Sequence, residues 1–223
     1  MTEASLDTHL IPTITHGRVL VREAHAAARR GLLVGFHGYM ESAATQMARL
    51  ETIPCAAEWT LVSIQGLHRF YRGRTEEVVA SWMTREDRIA AIADNLAYVA
   101  SALEQVPHDD ATPLVYAGFS QGVAMAFRAG VLGVGRATAI VAVGGDVPPE
   151  LIADQSLRFP PVLLARGNRD EWLSQEAFES NVAALISRGA AVRAVPYEGA
   201  HEWNGATSAA IGEFLDRPRS TAG

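Results

Sequence analysis

The pentapeptide Gly118-Phe119-Ser120-Gln121-Gly122 constrains this chain more than any other stretch. It follows the apolar run Pro113 to Ala117 and opens the helix-like run Val123 to Ala129. Strand, tight turn and helix in that order are the setting of a nucleophile elbow. In so tight a turn a side chain two positions before or after the serine would collide with neighbouring backbone. Glycine removes the collision and tolerates the dihedrals. The serine hydroxyl is thereby pushed out at the head of a sheet. The plainer reading is an ordinary strand-to-helix turn, and the rest of the chain has to decide between the two.

The chain has 223 residues, which suits one α/β domain. Its expected bounds are a loose lead-in over 1–10, the domain over 11–216 and a frayed tail over 217–223. The net charge of −6 argues against a broad electrostatic footprint for nucleic acid or an anionic membrane surface. All 19 basic residues are arginine, which excludes a catalytic lysine. Cys55 is the only cysteine, so no internal disulfide forms. It lies in the alanine-rich helix candidate Ala43 to Ala57 and reads as packing. A single cysteine fits a reducing cytoplasm. The N-terminus carries acids and lacks the apolar core of a secretory signal. No apolar stretch reaches the length of a membrane span, so stable membrane insertion is not expected.

Thr13-Ile14-Thr15 and Arg18 to Arg22 flank His16-Gly17, a pattern that predicts a hairpin. Apolar runs then alternate with helical patterns. The runs are Leu32–Phe36, Leu61–Gln65, Leu114–Ala117, Ala139–Val143, Val162–Ala165 and Val192–Val195. They are mostly continuous, as in parallel strands covered on both faces. The best helix candidate is Arg85 to Val106, whose apolar positions fall three or four apart, with Thr84 and Asp87 as a near capping box. Gln175 to Ser187 is a second, capped by Ser174 and stopped by Gly189. Ala206 to Leu215 is a third. The pattern predicts a mostly parallel, doubly wound α/β sheet with helices on both faces and an antiparallel start.

A serine hydroxyl needs a base within hydrogen-bonding reach, and the base needs an acid to fix its tautomer. In an elbow-type sheet these follow in the order serine, acid, histidine, on loops at the carboxyl ends of strands. Of seven histidines only His201 lies after Ser120, in the loop behind the last strand run. Two acids compete. Asp170 follows the Val162–Ala165 run and Asp146 the Ala139–Val143 run. Asp170 is favoured because it lies one strand nearer the histidine on a longer loop. Asp146 otherwise reads as a helix cap, and Glu198, Glu202 and Asp154 are weaker still. An oxyanion needs two backbone donors. The amide of Gln121, after the nucleophile, is one. The other falls to the loop His37-Gly38-Tyr39-Met40, with Tyr39 the first choice and Met40 the second. His37 reads as a structural hydrogen-bonder beneath that loop.

These segments resemble the phospholipase/carboxylesterase family of α/β-hydrolases. The likeness is carried by His37-Gly38, Gly118 to Gly122, Gly167-Asn168-Arg169-Asp170 and Gly199-Ala200-His201, and it extends from about Val19 to Leu215. The gaps of 50 residues from Ser120 to Asp170 and 31 from Asp170 to His201 fit as well. The resemblance implies an α/β-hydrolase fold without a large lid domain, a Ser120-His201-Asp170 triad, and Gly144 to Pro148 at the site rim. It implies hydrolysis of small-molecule carboxylic esters or thioesters with no metal or other cofactor, and it is compatible with a homodimer. There are departures. Tyr39 stands where the family has leucine or glycine, which should narrow the acyl pocket. Ala200 separates Gly199 from His201. Residues 66–85 match no recognisable pattern.

Substrate contacts are expected from His37, Gly38, Met40, Trp82, Asp146 and Trp172. Arg69, Arg72 and Arg74, in the arginine-rich loop 67–88, could hold a carboxylate or phosphate, or form a solvated face with Glu76 and Glu77. Trp82, Trp172 and Trp203 fall on loops at the expected active edge. A binding protein that keeps the fold without turnover, an acyltransferase and a peptidase are the competing readings.

Overall fold

A computed structural model describes residues 7–25 and 29–216 of the protein. The expected tail over 217–223 and the first six residues of the expected lead-in lie outside the described residues. Along the chain run β1 (Arg18–Arg22), β2 (Gly31–Phe36), α1 (Ala43–Glu51), β3 (Trp59–Gln65), β4 (His68–Tyr71), β5 (Val78–Ser81), α2 (Arg88–Glu104), β6 (Leu114–Phe119), α3 (Gln121–Val131), β7 (Ala137–Val143), α4 (Pro149–Ala153), β8 (Val162–Gly167), α5 (Gln175–Ser187), β9 (Val192–Tyr197) and α6 (Gly205–Asp216). Seven strands make one sheet in the order β1-β3-β2-β6-β7-β8-β9. All neighbours from β3 to β9 are parallel, and only β1 runs antiparallel. The carboxyl ends of the parallel strands therefore share one edge.

Why the strand runs are continuously apolar is visible in their packing. Leu114 and Tyr116 of β6 face one side, with Val99 and Leu103 of α2, Val123 and Phe127 of α3 and Leu185 of α5. Val115, Ala117 and Phe119 face the other, with Leu50 of α1 and Ile211 of α6. The central strands β2, β3, β6 and β8 supply both layers by alternation and are buried at every position. Cys55 is buried in the second layer, as the sequence suggests. No helix among the described residues is long and apolar enough to cross a membrane.

The antiparallel start is present, but its partner differs from expectation. Residues 13–15 form no strand, and Ile14 is exposed. β1 pairs instead with β3, from Arg18 opposite Gln65 to Arg22 opposite Leu61. The open edge of β3 offers a longer row of unpaired backbone groups than three residues across a turn could. The side chain of Tyr98 secures the entry to β1: its hydroxyl accepts from Arg18 N and donates to Arg18 O, both at 2.8 Å.

Two helices are shorter than their patterns. α1 stops at Glu51, because Pro54 cannot continue a helix. α2 begins at Arg88, and Asp87 sits at φ 49° with no side-chain cap bond. Thr84 Oγ1 accepts from Glu86 N (3.2 Å) within a turn before the helix rather than capping it. The backbone N–H of Trp82 and the carbonyls of Trp82 and Met83 are taken by the side chains of Gln121 and Asn95, and the helix starts beyond them. α5 follows its pattern closely: Ser174 Oγ accepts from Ala177 N, and Gly189 ends it at φ 76°.

Phe127 is fully buried on α3, edge-on to Phe159 at 6.4 Å between ring centroids. Phe127→Ala should lower unfolding stability by about 3–5 kcal/mol. Urea denaturation of both proteins measures this, and a loss under about 1 kcal/mol would contradict the packing described.

Candidate active site

Ser120 stands between β6 and α3 at φ 51°, ψ −120°. A non-glycine residue there is strained, and it holds only if its surroundings enforce it. They do so by contact. A β-carbon at Gly118 would lie 2.4 Å from Gly122 O, and one at Gly122 would lie 2.1 Å from Phe36 O. One at Gly145 would lie 2.5 Å from Ser120 O. Ser120 N donates to Val143 O at 2.9 Å, tying the turn to β7. Neighbouring chain thus approaches the turn from three sides at distances only glycine permits.

At that turn Ser120 Oγ lies 2.9 Å from His201 Nε2. On the other edge of the ring, His201 Nδ1 lies 2.9 Å from Asp170 Oδ2. His201 comes from the loop after β9, and Asp170 from the loop after β8. The Asp170 carboxylate is fully buried. Its second oxygen accepts from Trp172 N (2.8 Å) and Leu173 N (2.9 Å), so both oxygens are engaged. Arg166, buried beneath, donates to Leu173 O (2.6 Å), Asp170 O (3.2 Å) and Gln175 Oε1 (3.0 Å) and fixes the loop. The other acids lie apart from the imidazole. Asp146 accepts from Asn181 Nδ2 at 2.9 Å. Glu198 bonds Asn168 Nδ2, Glu202 accepts from Ala200 N, and Asp154 bonds Ser156.

The loop over 37–41 packs beside the elbow through Gly122, which also approaches His37 O. Gln121 is the first residue of α3, so its N–H has no intrahelical partner. Among the described residues the N–H of Tyr39 has none either. The N–H of Met40 donates to Ala80 O at 3.0 Å and is thereby occupied. The Tyr39 ring is exposed and leans on Phe70 at 6.0 Å, so it does not narrow the cleft. Residues 66–85, opaque in the sequence, form the β4–β5 hairpin that rivets this loop. Ala80 N donates to Glu41 O (2.8 Å) and Arg72 to Met40 O (2.7 Å).

A cleft of about 410 Å³ opens over Ser120 and His201. Of the residues expected around a substrate, Asp146 and Trp172 line it, as do Gly144 and Gly145. His37, Gly38, Met40 and Trp82 do not. His37 and Trp82 are fully buried behind the loop, where Trp82 Nε1 donates to His37 O at 2.8 Å. The exocyclic N–H of an indole needs a buried acceptor, and this carbonyl supplies it. Trp203 lies outside the cleft, with Nε1 bonded to Ser208 Oγ at 3.0 Å. Arg69 and Arg72 are also elsewhere, on His16 O and Glu77, and Arg74 is exposed away from the cleft. The cationic lining consists instead of Arg85, Arg88 and Arg128.

Some supporting residues carry no signal of their own in the sequence. The Gln121 carboxamide accepts from Trp82 N (3.0 Å) and donates to Met83 O (2.9 Å), joining the elbow to the end of the hairpin. Glu41 accepts from Gly38 N (2.7 Å) and takes both Nη atoms of Arg49 at 2.6 Å. Burial raises the Glu41 pKa, but Arg49 and the Gly38 amide outweigh it and leave it below the ordinary value. Arg49 in turn lies 4.0 Å over the Phe119 ring, which packs against the His201 imidazole at 5.0 Å.

No protein-family model matches the chain, and no curated protein sequence matches it. Solved structures do. Esterase PE8 superimposes with a TM-score of 0.73 at 23% identity, covering 90% of this chain and 98% of that one. The acyl-protein thioesterase 2 of Zea mays gives 0.68 at 20%, covering 90% and 98%. The carboxylesterase of Bacillus cereus gives 0.68 at 18%, covering 90% and 93%. The chain has the α/β-hydrolase fold.

His37 makes the support of the loop sensitive to pH. Its Nδ1 lies 2.7 Å from Gly38 O and so carries the proton, while Nε2 accepts from Gly66 N at 2.9 Å. A second proton on Nε2 would face that N–H, and burial pushes the pKa below the ordinary 6.5. Below pH 6.5 the unfolded chain therefore takes up a proton that the folded one refuses, and stability falls. Each pH unit costs at most about 1.4 kcal/mol. Urea unfolding at pH 7.5 and pH 5 should show a smaller acid loss for His37→Gln than for the wild type. Equal losses would refute the assignment.

Proposed function

We propose that this protein is a serine hydrolase of the phospholipase/carboxylesterase type, cleaving carboxylic esters or thioesters of small to medium substrates through an acyl-enzyme. The observation that carries the reading is the unbroken line from Ser120 Oγ through His201 to the buried Asp170 carboxylate, each link 2.9 Å long. Structural neighbours that are themselves an esterase, a thioesterase and a carboxylesterase support it. A cytoplasmic setting is part of the proposal, supported by the single, buried cysteine.

In this mechanism Ser120 Oγ attacks the carbonyl carbon while His201 Nε2 takes the hydroxyl proton. Asp170 accepts from Nδ1–H, keeps the imidazole in the right tautomer and stabilises the imidazolium. The carbonyl oxygen becomes an oxyanion, held by the amides of Tyr39 and Gln121. The imidazolium then protonates the departing alcohol or thiol, leaving an ester on Ser120. Water, deprotonated by the same nitrogen, attacks that ester. Collapse releases the acid and returns the proton to Ser120. The base must be neutral to accept the hydroxyl proton, and the Asp170 bond to Nδ1 leaves Nε2 free to do so.

Ser120→Ala should lower hydrolysis of a p-nitrophenyl ester by at least about 10³-fold. A fluorophosphonate probe should label the wild type and not the variant. Asp170→Asn should cost on the order of 10⁴-fold, and Asp146→Asn little. Full activity in folded Ser120→Ala would end the proposal.

A further inference from the structure

The cleft over Ser120 is charged on one side. Arg85, Arg88 and Arg128 line it, against a single lining acid, Asp146, which is itself bonded to Asn181. The side chains of Arg85 and Arg88 make no hydrogen bond or ion pair among the described residues. Arg128 is different, because its side chain is 1% exposed. Its Nε and Nη2 both bond one oxygen of Glu150, at 2.9 and 2.6 Å. The remaining Nη1 meets only the thioether of Met83, at 3.6 Å. A guanidinium has five donors, and a buried one left short of acceptors is under-compensated. Its only charged partner is half in water. Burial pushes the Arg128 pKa down, Glu150 pulls it back, and the charge of Arg88 pushes it down further.

Position in the fold gives these groups a direction. Ser120 immediately precedes α3, and Ala124 and Arg128, one turn apart on that helix, line the same cleft. The small side chain of Ala124 leaves the path between the ends open. Arg128 lies about two turns beyond Gln121, the first residue of α3, a rise of about 10 Å along the axis. A chain of a few carbons bridges such a gap.

We propose that Arg88 and Arg128 form an anion subsite, and that the preferred substrates are esters bearing a carboxylate a few carbons from the scissile carbonyl. This rests on the hydrolase reading above. The carboxylate would take the spare Nη1 of Arg128 from inside and the exposed guanidinium of Arg88 from the rim, with Arg85 adding charge. Charge-assisted bonds of this kind are strong and, with arginine, directional.

The test is a comparison of kcat/KM for matched ester pairs, followed by titration of released acid. In one arm the monoethyl esters of succinic, glutaric and adipic acids are set against ethyl butyrate, valerate and hexanoate. In the other the butyrate ester of glycolic acid is set against ethyl butyrate, which separates a carboxylate on the acyl limb from one on the alcohol limb. The anionic member should be favoured by at least about tenfold in one arm at low salt, and less as salt rises. Arg88→Gln should shrink that ratio and Arg88→Glu should shrink it further. Arg88 is exposed, so neither change depends on refolding the core. Arg128→Gln, checked by circular dichroism, should act in the same direction. A ratio near one in both arms, or one unmoved by Arg88→Glu, with neutral esters still cleaved, overturns the anion subsite alone. Cleavage of neither class by the wild type overturns the hydrolase reading itself.

Discussion

The carbonyl oxygen of Phe36 occupies the space where a side chain at position 122 would be. This contact between the end of β2 and the first turn of α3 is the constraint on which the site depends. It requires glycine at 122, and α3 can start so close to the sheet only if the turn before it is equally tight, which requires glycine at 118. The strain at Ser120 follows, because a residue at φ 51° is held by packing on either side. The same approach sets the loop after β2 beside the start of α3, where the unpaired N–H groups of Tyr39 and Gln121 lie.

A buried polar network keeps that loop in place. His37, Gly66, Trp82 and Gln121 form a connected set in which ring nitrogens, an indole N–H, a carboxamide and backbone groups find partners. Unpaired, such groups would each cost on the order of 1–3 kcal/mol, so the set is held as a unit. Glu41, Arg49 and Phe119 extend the support from the opposite face of the sheet to the imidazole of His201. The reacting groups sit on loops, but the loops are fastened from both layers.

Much of this is legible in residues alone, for identifiable reasons. Parallel strands covered on both faces read as apolar runs, and each of the six runs becomes a strand. α5 reads cleanly because its cap and stop are local chemistry. Ser120, Asp170 and His201 stand out because an elbow-type sheet fixes their order along the chain, and the structure brings them within hydrogen-bonding distance. What escapes is set by distant partners. The pairing of β1 with β3 spans some 40 residues. The β4–β5 hairpin has strands of four residues, too short for periodicity. Trp82 looks like a pocket wall until His37 O appears beneath its indole. The arginines that reach the cleft lie on α3, at the start of α2 and in the turn before it, not in the denser cluster at 69–74. Charge density in sequence does not say which way a hairpin faces.

Trp172 is 84% exposed, with its ring centroid 6.1 Å from that of the His201 imidazole. Trp59 and Trp82 are buried, and Trp203 is half-covered. The protein therefore carries one indole in water at the mouth of its cleft, while the others are shielded to different degrees. Collisional quenchers dissolved in the solvent will reach that fluorophore first. Any molecule that settles over the imidazole will screen it and shift its emission, so the chain reports its own occupancy without an attached dye.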